Sequence, residues 1–157
     1  MRSTVALQRL GYRLAFRVLQ LRWAVQRPVT EGVKCVISDG DRVLLVRHSY
    51  GPAAWDLPGG RSRRGEDPLA TTRREMEEEL GLGDSDWQPH GTLRGRIYRR
   101  RDKIHVMRAE VSSPDLRVDP VEIDAVAWFE TGRLPLNVSP FVGPVLAGDA
   151  GFGGLEG

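Results

Sequence analysis

The sequence predicts one α+β domain, and three observations support that class. The chain has 157 residues, enough for a single domain with its own core, and 40% of them are apolar while 28% are charged. Two apolar runs on either side of Asp39-Gly40-Asp41 predict a β-hairpin over residues 31–49. Apolar and acidic residues at helical spacing predict a helix that follows Asp67 and ends at Gly81.

Further strands are predicted after this helix. Residues 86–97 and 103–112 have the pattern of two strands joined by a turn around Arg101-Asp102. The remaining predicted elements are a strand over residues 121–129, a short helix over residues 139–146, and a flexible glycine-rich tail over residues 148–157.

The first segment of the chain predicts a separate element. Residues 3–27 read as one basic amphipathic helix ended by Pro28, with arginines on one side and apolar residues on the other. Arginine interrupts it too often for a membrane span. Packing against its own domain or a second subunit is one interpretation, and contact with RNA or an anionic membrane surface is the other. The predicted organisation is therefore this helix (1–28), a main domain (29–147) and the tail (148–157).

Charge and cysteine content narrow the function classes. The net charge is only +2, but arginine dominates the positive side, which favours recognition of phosphate oxygens. The single cysteine, Cys35, excludes an internal disulfide, and its apolar neighbours predict a buried inert thiol. With no cleavable signal pattern and no long apolar run, the expected location is cytoplasmic.

Three glutamates on the predicted helix point to a metal site. Glu75, Glu78 and Glu79 are three and four residues apart, so their carboxylates project from one face within a turn. Carboxylates crowded in this way repel unless a hard divalent cation lies between them, and Mg²⁺ is the common occupant. Arg74 lies one turn before Glu78 and is expected to orient that carboxylate.

The same helix has an apolar face. Leu69, Met76 and Leu80 recur at helical spacing and are expected to pack on the core opposite the carboxylates, while Glu77 is expected near solvent. The predicted ends are Asp67 as the N-cap, Pro68 as the first helical residue and Gly81 as the stop.

Residues 60–82 resemble the Nudix box, G-x5-E-x7-R-E-U-x-E-E-x-G-U, where U is a bulky apolar residue. The alternative is an ordinary acidic helix exposed to solvent, and the match of this segment to the box would then be a coincidence. The resemblance implies an α/β/α Nudix sandwich with a mixed β-sheet. It also implies hydrolysis of a nucleoside diphosphate linked to another moiety, with Mg²⁺, or Mn²⁺, as cofactor. Every fixed position is filled, by Gly60, Glu66, Arg74, Glu75, Met76, Glu78, Glu79, Gly81 and Leu82.

The resemblance also implies roles for individual residues. Glu75, Glu78 and Glu79 would bind the metal, helped by a backbone carbonyl of Gly59 or Gly60. Glu66 would hold the loop or bind metal through water, and Arg74 would orient the carboxylates. The general base would be Glu75 or a downstream acid, with Glu122, Asp119 and Asp124 as candidates.

Substrate contacts are expected from the flanking segments. Arg94 and Arg96 share one face of a predicted strand and would bind phosphate oxygens if that face borders the metal site. The other candidates are Arg61 in the box loop, His48 at a strand end, Trp55 and Tyr50 as stacking groups, and Tyr98. Ordinary strand and packing roles are the alternative for His48, Trp55 and Tyr98.

Two other functions on this fold stay open. A regulatory Nudix module would bind a nucleotide without cleaving it, but such modules usually lose carboxylates of the box and none is lost here. An isomerase is disfavoured by the short chain and the complete box. The substrate is open among nucleoside triphosphates, ADP-ribose or sugar nucleotides, dinucleoside polyphosphates, and capped or triphosphorylated RNA.

Overall fold

The computed structural model describes residues 29–97 and 100–148 and, before them, only residues 11, 15 and 18. The predicted helix over residues 3–27, apart from those three positions, lies outside the described residues, as do Tyr98 and the glycine-rich tail after residue 148. No helix in the described part is long and apolar enough to cross a membrane. The elements are β1 (Val29–Asp39), β2 (Arg42–His48), α1 (Pro68–Leu80), β3 (Gln88–Ile97), β4 (Arg100–Glu110), β5 (Ile123–Glu130) and α2 (Val142–Leu146).

The five strands form one mixed sheet in the order β3-β4-β1-β2-β5. β1 runs parallel to β4, and the other neighbours are antiparallel. On one face, Met76 and Leu80 of α1 pack with Val33 and Cys35, and on the other face Val142 of α2 packs with Leu45. These three layers confirm the predicted α+β class and the α/β/α arrangement with a mixed sheet.

The predicted hairpin over residues 31–49 is present, and a loop separates its strands. β1 and β2 pair only beside the turn, at Ser38 with Val43 and at Asp39 with Arg42. Beyond that point residues 56–60, which we name the wedge, lie between the strands. The wedge bonds to both of them, because Cys35 N donates to Pro58 O (2.8 Å), Val33 N donates to Gly60 O, and Val46 N donates to Asp56 O (both 2.9 Å). The wedge therefore replaces the missing hydrogen bonds of both strands.

The predicted turn around Arg101-Asp102 is wrong. Both residues lie in β4, where they pair with Arg96 and Gly95 of β3, and Ile97 pairs with Arg100. β3 ends at Ile97 and β4 begins at Arg100, and β4 also pairs with β1 on its other side. A strand with partners on both sides satisfies its backbone groups even where charged side chains give a turn-like sequence.

Helix α1 begins and ends where the sequence predicts. Asp67 caps it by accepting hydrogen bonds from Leu69 N (2.9 Å) and Ala70 N (3.0 Å), with Pro68 as the first helical residue. Gly81 ends it at φ +71°, a conformation that glycine adopts without steric cost. The core prediction for Leu69 is wrong, because this residue lies at the exposed start of the helix and is 36% exposed. Thr72 is buried instead, with its hydroxyl donating to Pro68 O at 2.8 Å.

Candidate active site

Glu79 is the most buried carboxylate of the box. Its side chain points toward the core beside Met76 and Leu80, and the residue is 2% exposed. The expectation that all three box carboxylates lie opposite the core is therefore wrong for this one, because Glu79 follows the buried Met76 by three residues and shares its side of the helix. Gly59 N donates to Glu79 Oε2 at 3.3 Å. Burial, and then the charge of Glu75, raise the pKa of Glu79 to about 8.

Arg74 organises the other acids through its guanidinium. Its Nε and Nη2 donate to the two oxygens of Glu66, both at 2.8 Å, and its Nη1 donates to Glu75 Oε1 at 2.6 Å. Nη2 also donates to Arg61 O at 3.0 Å. Glu78, the predicted partner of Arg74, is farther away, with Oε2 at 3.5 Å from Nη1. Arg74 thus holds the loop before α1 and the Glu75 carboxylate in place, and its contact with Glu78 is longer and weaker.

Both carboxylate oxygens of Glu66 accept hydrogen bonds in this network. Its second oxygen also accepts a hydrogen bond from Arg63 N at 2.8 Å. The hydrogen bonds from Arg74, and then the one from Arg63 N, lower the pKa of Glu66 to about 2. Of the two predicted roles for Glu66, this geometry favours holding the loop.

Gly60 gives the Glu75 carboxylate its space. A Cβ on Gly60 would overlap the Glu75 carboxylate and would lie 2.6 Å from its Oε1. Burial raises the pKa of Glu75, and the hydrogen bond from Arg74 opposes that rise. Gly60 O already accepts the Val33 N–H, which leaves Gly59 O as the better candidate for a carbonyl ligand. Gly59 has φ +142°, and a Cβ there would overlap Val33 O.

Glu78 is exposed and faces arginines. It lies 3.5 Å from Arg74 Nη1 and 3.8 Å from Arg63 Nη2. Within the described ranges, no three acidic, histidine or cysteine side chains form a ready-made cation site. The reason is visible in the contacts, since Glu66, Glu75 and Glu78 all face Arg74 while Glu79 is turned toward Gly59.

The loop before β5 brings one further acid to this region. Asp119 N donates to Glu79 O at 3.0 Å, and Ser49 N donates to Glu122 O at 2.8 Å, which ties the loop to α1 and to the end of β2. The charge of Glu122 contributes to the raised pKa of Glu79. Of the other candidates, Asp119 accepts Val121 N within its own loop and Asp124 pairs with Arg47 at 2.9 Å. Glu122 is thus the downstream acid in electrostatic contact with the box.

The predicted phosphate contacts are only partly described. Arg94 is exposed and pairs across the strands with Lys103, which in turn pairs with Glu31. This row lies on the sheet face that carries α1, because Val33, two residues beyond Glu31, packs against that helix. The Arg61 side chain is exposed, and its carbonyl accepts from Arg74. The side chain of Arg96 and all of Tyr98 are outside the described residues.

His48 and Trp55 each lie beside another aromatic ring. His48 ends β2 at a register shift, its ring lies 5.3 Å from that of Tyr50, and its Nδ1 is buried with no hydrogen-bond partner in the described structure. Burial, and then the charge of Lys34, lower the pKa of His48 to about 4. Trp55 packs edge-on against Phe129 at 5.1 Å, which is the structural role that the sequence left open.

Two charged residues that pair beside β1 and the wedge were missed by sequence reasoning. Lys34 Nζ lies 2.6 Å from Asp56 Oδ2 and also donates to Leu57 O at 2.9 Å. The sequence signal that could have found this pair was Lys34 itself, a lone charge inside the apolar run GVKCVIS, because a charge in a mostly buried strand requires a partner.

The predicted inert thiol is found at Cys35, which is buried, and burial raises the pKa of that thiol.

Comparison with known proteins defines the class. The family model described as NUDIX domain matches residues 28–147. The chain belongs to the Nudix family, in agreement with its mixed sheet and its complete box. It is an enzyme of that family, a pyrophosphohydrolase acting on acid anhydrides.

Similar proteins have been named in several bacteria. The chain is 31% identical over 108 residues to a Bacillus subtilis protein named "Putative 8-oxo-dGTP diphosphatase", covering 67% of this chain and 68% of the relative. It is 30% identical over 136 residues to an RNA pyrophosphohydrolase of Rhodospirillum rubrum, covering 75% and 82%. Among solved structures, a MutT NUDIX hydrolase from Burkholderia pseudomallei superposes with a TM-score of 0.68 at 25% identity, covering 76% of this chain and 97% of that one.

Proposed function

We propose that the protein hydrolyses a pyrophosphate bond in a nucleoside diphosphate linked to another moiety, and that the reaction depends on Mg²⁺, with Mn²⁺ as a substitute. The observation that carries this proposal is the environment of Glu79. Within the described residues this buried carboxylate has no ion pair and accepts only the Gly59 N–H. A buried anion without a cationic contact is costly, so the site fits an added cation.

The donors near Glu79 also fit a hard metal ion. Glu75 and Glu122 act on it electrostatically, and Gly59 contributes a backbone carbonyl on the same short segment. All of these donors are oxygens, the ligands that Mg²⁺ prefers. We infer that Glu75, Glu78, Glu79 and Gly59 O hold the ion, with Gly60 O as the alternative carbonyl and Glu66 acting through the loop.

The bound ion would neutralise polyphosphate charge and lower the pKa of a bound water. The chain's own residues then have distinct tasks. Glu122 or Glu75 accepts the proton of the attacking water, because both are carboxylates in electrostatic contact with Glu79. Arg74 holds Glu75 in one orientation through its 2.6 Å contact.

Substrate binding is assigned to cations and rings at the margin of the site. We infer that Arg61, Arg94 and Arg96 contact phosphate oxygens, because guanidinium groups bind phosphate in a bidentate manner. Tyr98 is inferred to contact the nucleoside, whereas the packing of Trp55 on Phe129 and the burial of His48 Nδ1 favour structural roles for those two residues. The names of the relatives point to two substrate types, 8-oxo-dGTP and RNA, and both belong in a test panel.

The cellular location and the contacts of the first segment are proposed from the sequence. We propose a cytoplasmic protein whose residues 1–27 pack against their own domain or a second subunit, with RNA or an anionic membrane surface as the alternatives. Co-sedimentation with anionic liposomes, with and without residues 1–27, tests the membrane alternative. Equal partitioning of the two chains would remove it.

The central experiment measures Mg²⁺-dependent product release over a panel of nucleoside triphosphates, 8-oxo-dGTP, ADP-ribose, dinucleoside polyphosphates and triphosphorylated RNA. Products are identified by mass. We expect turnover of at least one substrate, abolished by EDTA and reduced at least about 10³-fold in Glu79→Gln. Binding without turnover across the panel would instead support the regulatory function, in which a nucleotide is recognised but not cleaved.

A further inference from the structure

Ser49 follows the last residue of β2 and holds the backbone of the loop that precedes β5. Its N–H donates to Glu122 O at 2.8 Å, and its hydroxyl donates to Val121 O at 2.6 Å. Ser49 is only 4% exposed, so both hydrogen bonds are shielded from water. One buried serine therefore holds two consecutive carbonyls, the first of them 72 residues later in the chain.

Glu122 lies in a tight turn between this loop and β5. Residues 111–122 form neither helix nor strand. Asp119 closes the turn by accepting Ile123 N at 3.0 Å on its carbonyl and Val121 N at 2.8 Å on Oδ1. These two bonds fix the shape of the turn, and the bonds from Ser49 tie the turn to the end of β2.

The other side of the loop is fastened to α1, the helix that carries the box. Arg117 N donates to Leu80 O at 2.9 Å, and Asp119 N donates to Glu79 O at 3.0 Å. These carbonyls end the helix and have no partner within it, so the loop supplies the hydrogen bonds that they need. Ile123, which follows the turn, is buried in the same core cluster as Leu80. The turn is thus held between Ser49 and the end of α1.

A bulge sets the contact between Ser49 and the turn. The pairing of β2 with β5 shifts its register between Arg47 and His48, so that His48 lies opposite Ile123. Ser49 and Glu122 then lie opposite each other and are joined by their 2.8 Å bond. A regular ladder would instead place Ser49 opposite Ile123. Bulges occur next to active sites, where they change the direction of a side chain.

We propose that Ser49 is a positioning residue, which holds Glu122 where this carboxylate accepts the proton of the attacking water. The inference rests on the proposed function, and it selects Glu122 over Glu75 as the proton acceptor. Glu75 already accepts a 2.6 Å hydrogen bond from Arg74 and is assigned to the ion, which leaves the acid of the separate loop for the proton. A carboxylate on an irregular loop needs such a restraint, because a displacement of about 1 Å can lower a rate about a hundredfold.

The first test needs neither metal nor substrate. Hydrogen exchange of the full chain in EDTA, followed by mass spectrometry, measures how firmly the loop is held. Ser49→Ala removes the hydroxyl bond to Val121 O, and we expect the amides of residues 117–123 to exchange about fivefold faster, as for one lost hydrogen bond. Amides of α1 should keep their native exchange rates.

The second test is a double-mutant cycle in kcat. Steady-state kinetics use Mg²⁺ and the panel substrate that the native chain hydrolyses, with 8-oxo-dGTP and triphosphorylated RNA tried first. Ser49→Ala should lower kcat about tenfold to a hundredfold and leave KM unchanged within about twofold, and Glu122→Gln should lower kcat about a hundredfold or more. Added to Glu122→Gln, Ser49→Ala should lower kcat no further, because it acts through that carboxylate.

The matched control is Ser139→Ala, the same chemical change at another buried serine. Ser139 is 9% exposed, and its N–H donates to Trp55 O at 2.7 Å instead of to the loop before β5. We expect this variant to leave kcat and the exchange of residues 117–123 unchanged within about twofold, because it does not touch the turn that carries Glu122.

The outcomes separate positioning from a general structural role. Equal losses of kcat from Ser49→Ala in the native and Glu122→Gln backgrounds would overturn the inference, and so would unchanged exchange of the loop. Native kcat in Glu122→Gln would also overturn it, leaving Glu75 as the proton acceptor and the proposed hydrolysis intact. Should circular dichroism show that Ser49→Ala does not fold, Ser49→Cys, which has a weaker donor of similar size, replaces it in both tests with the same expected outcomes. A native chain that hydrolyses no panel substrate would refute the proposed function itself.

Discussion

Replacing Glu79 by Gln should remove activity and at the same time stabilise the metal-free protein. Among the residues that the structure describes, none forms an ion pair with this buried carboxylate, and burial raises its pKa from an ordinary value of 4.5 to about 8. A carboxyl whose pKa is raised by folding binds more protons when folded than when unfolded, so the native protein loses stability as pH rises from about 4.5 to about 8. At about 1.4 kcal/mol per pH unit, this difference bounds the loss at about 5 kcal/mol.

The expected gain is smaller than that bound, because glutamine also buries a polar group and keeps only the Gly59 hydrogen bond. We expect Glu79→Gln to raise the free energy of unfolding by about 2 kcal/mol at pH 8 in EDTA and by nearly nothing at pH 5. Urea unfolding followed by circular dichroism measures both values. Saturating Mg²⁺ should stabilise the native protein and not the variant. A variant that is less stable than the native protein in EDTA at pH 8 would refute this account of Glu79.

Three further predictions concern the surroundings of the site. Arg74→Lys should lower the free energy of unfolding by about 2 kcal/mol and should lower kcat at least about tenfold, because an ammonium cannot replace a planar guanidinium between two carboxylates. Urea unfolding measures the first value and steady-state kinetics the second. Near-native values of both would contradict this prediction. The native protein should lose stability as pH falls from 6.5 to about 4, because burial lowers the pKa of His48 and only the unfolded chain binds the extra proton. The full loss is about 3 kcal/mol, and His48→Gln should remove it. Thermal melts at a series of pH values measure this, and parallel stability curves for the native protein and the variant would contradict it. Gly60→Ala should lower kcat about tenfold or more, because the added Cβ displaces the Glu75 carboxylate. The control, Gly132→Ala, has open space around its Cβ position and should leave kcat unchanged. Equal kcat values for the two variants would show that Glu75 tolerates displacement.

The sequence predicted the fold class, the hairpin and the ends of α1, because each of these depends on short-range chemistry. Asp67, Pro68 and Gly81 have their effects within one helical turn, and Gly40 determines a tight turn at φ +63°. The turn around Arg101 was wrong for the opposite reason, since pairing with β1 and β3 on either side decides the conformation of that residue.

The composition of the site was predicted better than its geometry. The box identified the acids, but burial separated them, with Glu79 in the core, Glu75 against Gly60 and Glu78 in solvent. Sequence spacing placed all three on one stripe and could not rank them. Lys34 and Asp56 are 22 residues apart and meet only because the wedge lies beside β1, a long-range contact that no local pattern carries.

The parallel pairing of β1 with β4 has a consequence for biosynthesis. β1 hydrogen-bonds to a strand some seventy residues later, as where Val33 pairs with His105, and Glu122, whose charge acts on Glu79, comes later still, on the loop before β5. A nascent chain on the ribosome therefore exposes its glutamate helix well before the strand that completes the sheet beneath it has been synthesised. Such distant pairing folds slowly, and a truncated product ending before residue 100 would lack Met107 and Ala109, which complete the core around Met76 and Leu80, so part of that apolar side would stay available to chaperones and to aggregation.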